Sequence, residues 1–150
     1  EVNVTRFRGE NFGASLAEGP CTTTCAGLTD PVTSWDRSND HRYPHADPLA
    51  VPTTRRVVWV GIEYPRSVET DRYLGTFFDK MLVGDFAGGW IRAIELDDQD
   101  RVIYDEPAGH LDAATSWALG PDGYVYASSY GTSLAWPYKP GAIYRAVLAE

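Results

Sequence analysis

The sequence predicts an all-β fold, and three observations carry that expectation. Trp, Tyr and Phe are abundant, Met occurs once, and no long Leu/Ala/Glu/Lys stretch of helical character is present, a bias toward sheet. On either side of residues 121–123, short runs alternate aromatic or β-branched residues with small or polar ones, the pattern of half-buried strands. The third observation lies between Leu119 and Leu148, where Pro121-Asp122-Gly123 is a tight-turn sequence: proline presets φ and glycine takes the positive φ that follows. A strand, this turn, a second strand and an ending on Ile143-Tyr144-Arg145-Ala146-Val147-Leu148 read as the outer part of a β-propeller blade. One blade cannot bury both of its faces, so such an ending implies neighbours.

The elements follow in order. Glu1 to Val4 reads as the end of a strand, and Arg6 to Gly19 is too Gly-rich and polar for a helix. Cys21 to Pro48 is loop-like, stiffened by Pro31, Pro44 and Pro48, and belongs to a long loop region over about residues 5–55 of the kind that is functional or covers something. Blade strands are expected over about residues 56–150. Arg56 to Ile62 is the clearest buried strand; Val68 to Phe78 is a connector with a short helical turn around Tyr73-Leu74. Lys80 to Asp85 and Trp90 to Leu96 pair across Ala87-Gly88-Gly89, Asp97 to Arg101 makes the next turn, and Val102 to Asp105 returns. Thr115 to Leu119 opens the last blade. Gly89 to Leu96 and Gly141 to Leu148 share a Gly, apolar, Arg-Ala, apolar, Leu pattern with one residue of slack, about fifty residues apart, as expected for propeller blades.

The formal charge of −8, with lysine only at Lys80 and Lys139, excludes a basic nucleic-acid-binding surface. No apolar run reaches the length of a membrane span. Cys21 and Cys25 have only His41 and His45 near them in sequence as further zinc ligands, so a small disulfide-closed loop fits better than a zinc site. A disulfide points to an extracellular or periplasmic location. The chain opens on Glu1-Val2-Asn3-Val4, already strand-like and without a signal-peptide pattern, so the expectation is a mature chain or a fragment. Hard oxygen ligands for calcium occur at Asp36, Asp40 and Asp47 on the long loop, and at Asp97-Asp98-Gln99-Asp100.

Taken in order, several segments resemble the C-terminal portion of the glucose/sorbosone dehydrogenase family, the soluble quinoprotein six-bladed propellers. They are Glu1-Val2-Asn3-Val4, Gly9-Glu10-Asn11-Phe12-Gly13 with Glu18-Gly19-Pro20-Cys21, and Pro31-Val32 with Tyr43-Pro44-His45. Val57-Val58-Trp59-Val60-Gly61 with Tyr64-Pro65, Phe78 through Leu96, and Gly120-Pro121-Asp122-Gly123 with Ile143-Tyr144-Arg145 complete the set. The resemblance implies a partial propeller of about two to three blades, completed by another segment of the same precursor, a second chain or self-association. It implies oxidation of a sugar or alcohol with pyrroloquinoline quinone (PQQ) and calcium, and a pocket rim to which Asn11, Phe12 and His45 contribute as cofactor-binding residues. The family's catalytic histidine belongs to an earlier blade, so no catalytic residue is expected in this chain, and His41, His45 and His110 are not promoted to that role.

The chain departs from the family pattern at Ala14 and Ser15, where the family has Trp and Pro, and at Val60, where it has a cation. The first change removes an aromatic surface for a planar cofactor; the second removes a partner for PQQ's carboxylates. Arg55 and Arg56 lie upstream of Val60, while Arg92 and Arg145 read as solvated or salt-bridged. Two functions are therefore expected: a blade-contributing part of a dehydrogenase, or a degenerate propeller that binds carbohydrate or protein, or serves assembly.

Overall fold

A computed structural model describes residues 1–14, 19–35, 57–131 and 140–148. Among these residues the fold is all-β: strands β1 (Val58–Tyr64), β2 (Lys80–Asp85), β3 (Trp90–Leu96), β4 (Val102–His110), β5 (Ala114–Leu119), β6 (Val125–Ser129) and β7 (Ala142–Arg145), with no helix. They form a four-stranded sheet in the order β1-β2-β3-β4 and a three-stranded sheet in the order β5-β6-β7. All pairings are antiparallel.

Three of the turns between paired strands are closed by short hydrogen bonds. Between β2 and β3, the buried Asp85 accepts N–H bonds from Ala87 (3.0 Å) and Val57 (2.9 Å), so one carboxylate holds both that turn and the entry to β1. Between β3 and β4, Asp97 Oδ1 accepts from Gln99 and Arg101, both at 2.9 Å. Between β5 and β6, the Gly123 N–H bonds the Gly120 carbonyl at 3.0 Å, with Pro121 and Asp122 at the corners. Gly123 has φ 81°, and a Cβ there would collide with the Thr70 carbonyl, so both conformation and space demand glycine.

The sheets pack on one another. Leu82 and Ala93 of the first sheet meet Val125 of the second, with Tyr64 and Tyr73 between them. The first strands of the sheets, β1 and β5, are neighbours: Trp59 and Trp117 lie 5.4 Å apart between ring centroids. Gly61 permits the approach, since a Cβ there would stand 2.9 Å from Trp117 Cγ. The far side of the first sheet (Val83, Trp90, Ile94) is covered by Val2, Val32 and Trp35. Val2 is held by a bridge to Thr33, and Trp35 tilts against Trp90 at 5.1 Å. Among the described residues the second sheet is covered on one face only: cross-strand register puts Ser116, Ala118, Tyr126, Ser128, Ile143 and Arg145 on the other, and of these Ser116, Ala118, Ile143 and Arg145 are exposed.

Against the sequence expectations, β2 and β3 stand where the pattern puts them, and β5 starts one residue earlier than expected. The first strand begins at Val58 rather than at Arg56 and runs on to Tyr64. The returning strand extends past Asp105 to His110, through Pro107; β4 is an edge strand, where a residue without an N–H is tolerated. The helical turn around Tyr73-Leu74 is a run of tight turns instead, because Leu74 has φ 54°, outside the right-handed helical region. Glu1 to Val4 contributes only the isolated bridge at Val2. Both halves of the internal repeat are the third strand of their sheets, β3 and β7. The slack of one residue has a consequence: Arg92 shares a face with Trp90 and Ile94, turned away from the second sheet, whereas Arg145 is turned away from the first. A one-residue offset in a strand exchanges faces.

Candidate functional site

The expected rim residues on the described part of the loop are Asn11 and Phe12. Asn11 is exposed and Phe12 half-buried. The Asn11 carboxamide oxygen accepts the Gly13 N–H at 3.0 Å, and its carbonyl accepts the Thr29 N–H at 2.8 Å. Its acceptor oxygen is thus already engaged within its own loop. His45, the third expected rim residue, lies outside the described residues, as do the expected calcium ligands Asp36, Asp40 and Asp47.

The acidic turn Asp97-Asp98-Gln99-Asp100 is described, and the carboxylates of Asp97 and Asp100 are engaged. Asp97 ties down Arg101 through its side chain and N–H. The Arg101 side chain first, then its N–H, draws the Asp97 carboxyl down to about 2. Asp100 pairs with Arg6, fastening the N-terminal segment to the β3–β4 turn. Among the described residues, no three His, Cys, Asp or Glu side chains form a group able to hold a metal ion.

Cys21 and Cys25 lie at disulfide distance with Cα atoms 5.6 Å apart, closing a small loop that Asp30 pins by accepting the Cys21 N–H at 2.9 Å. No helix among the described residues is long and apolar enough to cross a membrane.

Two of the arginines weighed for PQQ are placed by the structure. The cofactor's three carboxylates call for converging cations, yet Arg92 is sealed against Asp105 and Val60 stands exposed where the family has a cation. Arg145 lies over the ring of Tyr124, 4.6 Å from its centroid.

The most highly organised polar group is a node at the junction of the sheets. Tyr64 ends β1, and the connector after it carries Asp71 and Tyr73. The single Tyr64 hydroxyl proton lies between two acceptors, Asp71 Oδ1 at 2.9 Å and the Gly123 carbonyl at 3.1 Å. Asp71 also accepts the N–H groups of Tyr73 (3.0 Å) and Gly75 (2.6 Å). Burial pushes its carboxyl upward, but those N–H groups and the Tyr64 hydroxyl outweigh this and hold it below the ordinary value.

Tyr73 goes further. Its hydroxyl accepts the Val125 N–H at 2.7 Å and donates to the Ala146 carbonyl at 3.2 Å, so it is spliced into the β6–β7 ladder at the point where that ladder ends. The node thereby fixes the β5–β6 turn and the end of β7 to β1. Sequence reasoning missed it because the residues are scattered over 64–146 and nothing local marks them; Asp71, two residues before Tyr73 in a connector with no periodicity, is the one signal available.

The node sets an alkaline limit. Burial first, then the hydrogen bond to Asp71 and its charge, pushes the Tyr64 phenol up to about 12 from an ordinary value of 10.0. Burial raises Tyr73 as well. A raised folded-state value means that the stabilisation is fully present below pH 10 and is lost as pH climbs toward 12. Absorbance titration at 295 nm is expected to show Tyr64 and Tyr73 ionising late, together with the loss of near-UV circular dichroism. Complete ionisation of every tyrosine near pH 10 in still-folded protein would contradict the assignment.

No protein-family model, curated protein or solved structure matches this chain.

Proposed function

We propose that this chain supplies two adjoining blades of a β-propeller of the glucose/sorbosone dehydrogenase kind, with the catalytic base carried elsewhere in the ring. The observation that carries this reading is the packing of two antiparallel meanders face to face, with their first strands β1 and β5 side by side. A second face of the β5–β7 sheet left uncovered by the described residues is what a blade awaiting its neighbour presents. On this reading the loop bearing Asn11 and Phe12 forms part of a pocket rim, and further blades come from the same precursor, another chain or further copies. The disulfide-distance pair favours an extracellular or periplasmic setting.

A second reading, a propeller that has lost cofactor chemistry and binds carbohydrate or protein or serves assembly, is favoured by the local use of Asn11 and by Ala14 and Val60. The completed particle, supplied with PQQ and calcium, separates the two. Dye-linked sugar oxidation accompanied by a shift in quinone absorbance is the result expected of the dehydrogenase. The absence of both, with the ring intact, leaves the non-catalytic propeller.

A further inference from the structure

Edge strands differ in how readily they accept another strand, and the edges of this molecule are unequal. β1 and β5 lie beside each other where the sheets meet. β4 is protected by Pro107, which has no N–H, by the acids Asp105 and Glu106, and by register shifts in its pairing with β3. β7 carries no proline, no acid and no bulge, and all four of its residues are exposed.

The hydrogen-bond phase of β7 is fixed by the Tyr73 splice. The Ala146 N–H bonds the Val125 carbonyl at 2.9 Å, so alternation turns the backbone groups of Ala142 and Tyr144 toward β6 as well. The N–H and C=O groups of Ile143 and Arg145 therefore point outward. The side chains along this edge are apolar and open on both faces, with Ile143 77% and Tyr144 50% exposed, and Val147 (62%) and Leu148 (42%) follow just beyond the strand.

We propose that β7 pairs antiparallel with β7 of a second copy of this chain, about a two-fold axis at Tyr144. Each Ile143 then exchanges its N–H and C=O with Arg145 of the other copy. Tyr144 meets its own equivalent in the close, non-hydrogen-bonded position, where aromatic pairs stabilise a sheet. The register is self-complementary, as a two-fold interface requires, and it places each Arg145 opposite Ile143 rather than opposite the other arginine. The two three-stranded sheets become one continuous six-stranded sheet. The contact engages only the residues from Ala142 to Leu148 on each side, far fewer than the roughly 20–30 of a standard interface, so the dimer is weak and concentration-dependent. It needs only the β7 edge that the described residues leave unpaired and does not depend on the propeller reading.

Sedimentation equilibrium of the purified chain, from the micromolar to the millimolar range, tests the pairing. The expected mass doubles from 16.6 kDa as concentration rises, while Ile143→Lys stays monomeric at every concentration and Ile103→Lys on β4 dimerises like the parent. In the parent chain, hydrogen exchange at the amides of Ile143 and Arg145 is expected to slow as dimer forms, with Tyr144 unchanged. This readout requires no variant to fold. A constant 16.6 kDa, or a dimer in which the Ile143 and Arg145 amides exchange as fast as in the monomer, would overturn the proposal.

Discussion

Replacing Arg92 with alanine is expected to lower stability by about 3–5 kcal/mol, the cost of stranding a buried charge. Arg92 on β3 points its guanidinium at Asp105 on β4, where Nε meets the carboxylate and a terminal nitrogen donates to the Asp105 carbonyl at 3.1 Å. Both side chains are almost sealed from water, at 6% and 7% exposure. Among the described residues, Asp105 Oδ2 has no hydrogen-bond partner, so this carboxylate depends heavily on the guanidinium.

Removing Arg92 leaves that charge with no cheap remedy. Replacing both residues, as Arg92→Met with Asp105→Leu, is expected to cost far less than either single change, because no charge is then buried alone. The comparison lies in the same hairpin: Arg101 pairs with Asp97 but is 70% exposed, and Arg101→Ala is expected to cost under about 1 kcal/mol. Urea denaturation of the four proteins checks the ordering. Equal losses for Arg92→Ala and Arg101→Ala would show that the pair is not sealed in solution.

Tyr73→Phe is expected to cost about 2 kcal/mol or more, although it deletes a single oxygen. The ring still fills its place among Tyr64, Phe77 and Tyr124. What is lost is the bridge: the Val125 N–H and the Ala146 carbonyl are left facing each other across the space the hydroxyl occupied. An unmet buried backbone group costs roughly 1–3 kcal/mol. The effect should be directional, loosening β7 before the rest of the fold, since the splice is where β7 is fastened to the connector. Hydrogen exchange should speed up at Val125 and Ala146 while the amides of β2 and β3 keep their protection. Uniform loss of protection would mean that Tyr73 acts only through packing.

The β2–β3 hairpin was legible because its residues announce it: two alternating runs, a Gly-Gly turn and an aspartate at the corner. The turn at Gly120 to Gly123 was legible for the same reason. β4 was read short at Asp105 because Pro107 argues against a strand unless the strand is known to lie on an edge, and edge position is a property of the sheet. The connector was read as a helical turn because Tyr73-Leu74 looks helical in isolation; the positive φ at Leu74 and Asp79 comes from tying the connector to Asp71 and Tyr64. The same limit hid the node. Tyr73 bridges Val125 and Ala146 only once the register of β6 on β7 exists, so no window of sequence contains the signal. Asn11, picked out through a resemblance, is exposed and has its carboxamide oxygen spent on Gly13, a local use that the motif does not distinguish from ligand binding.

If the two sheets are adjoining blades of a larger ring, the mass of the native particle isolated from its source shows it. Adjoining blades of a ring require a particle that contains further blades, heavier than two copies of this chain, in which Tyr126 and Ser128 on the outer face of the β5–β7 sheet are shielded. A lone monomer of 16.6 kDa with one sharp, cooperative melt and that face open to solvent would contradict it.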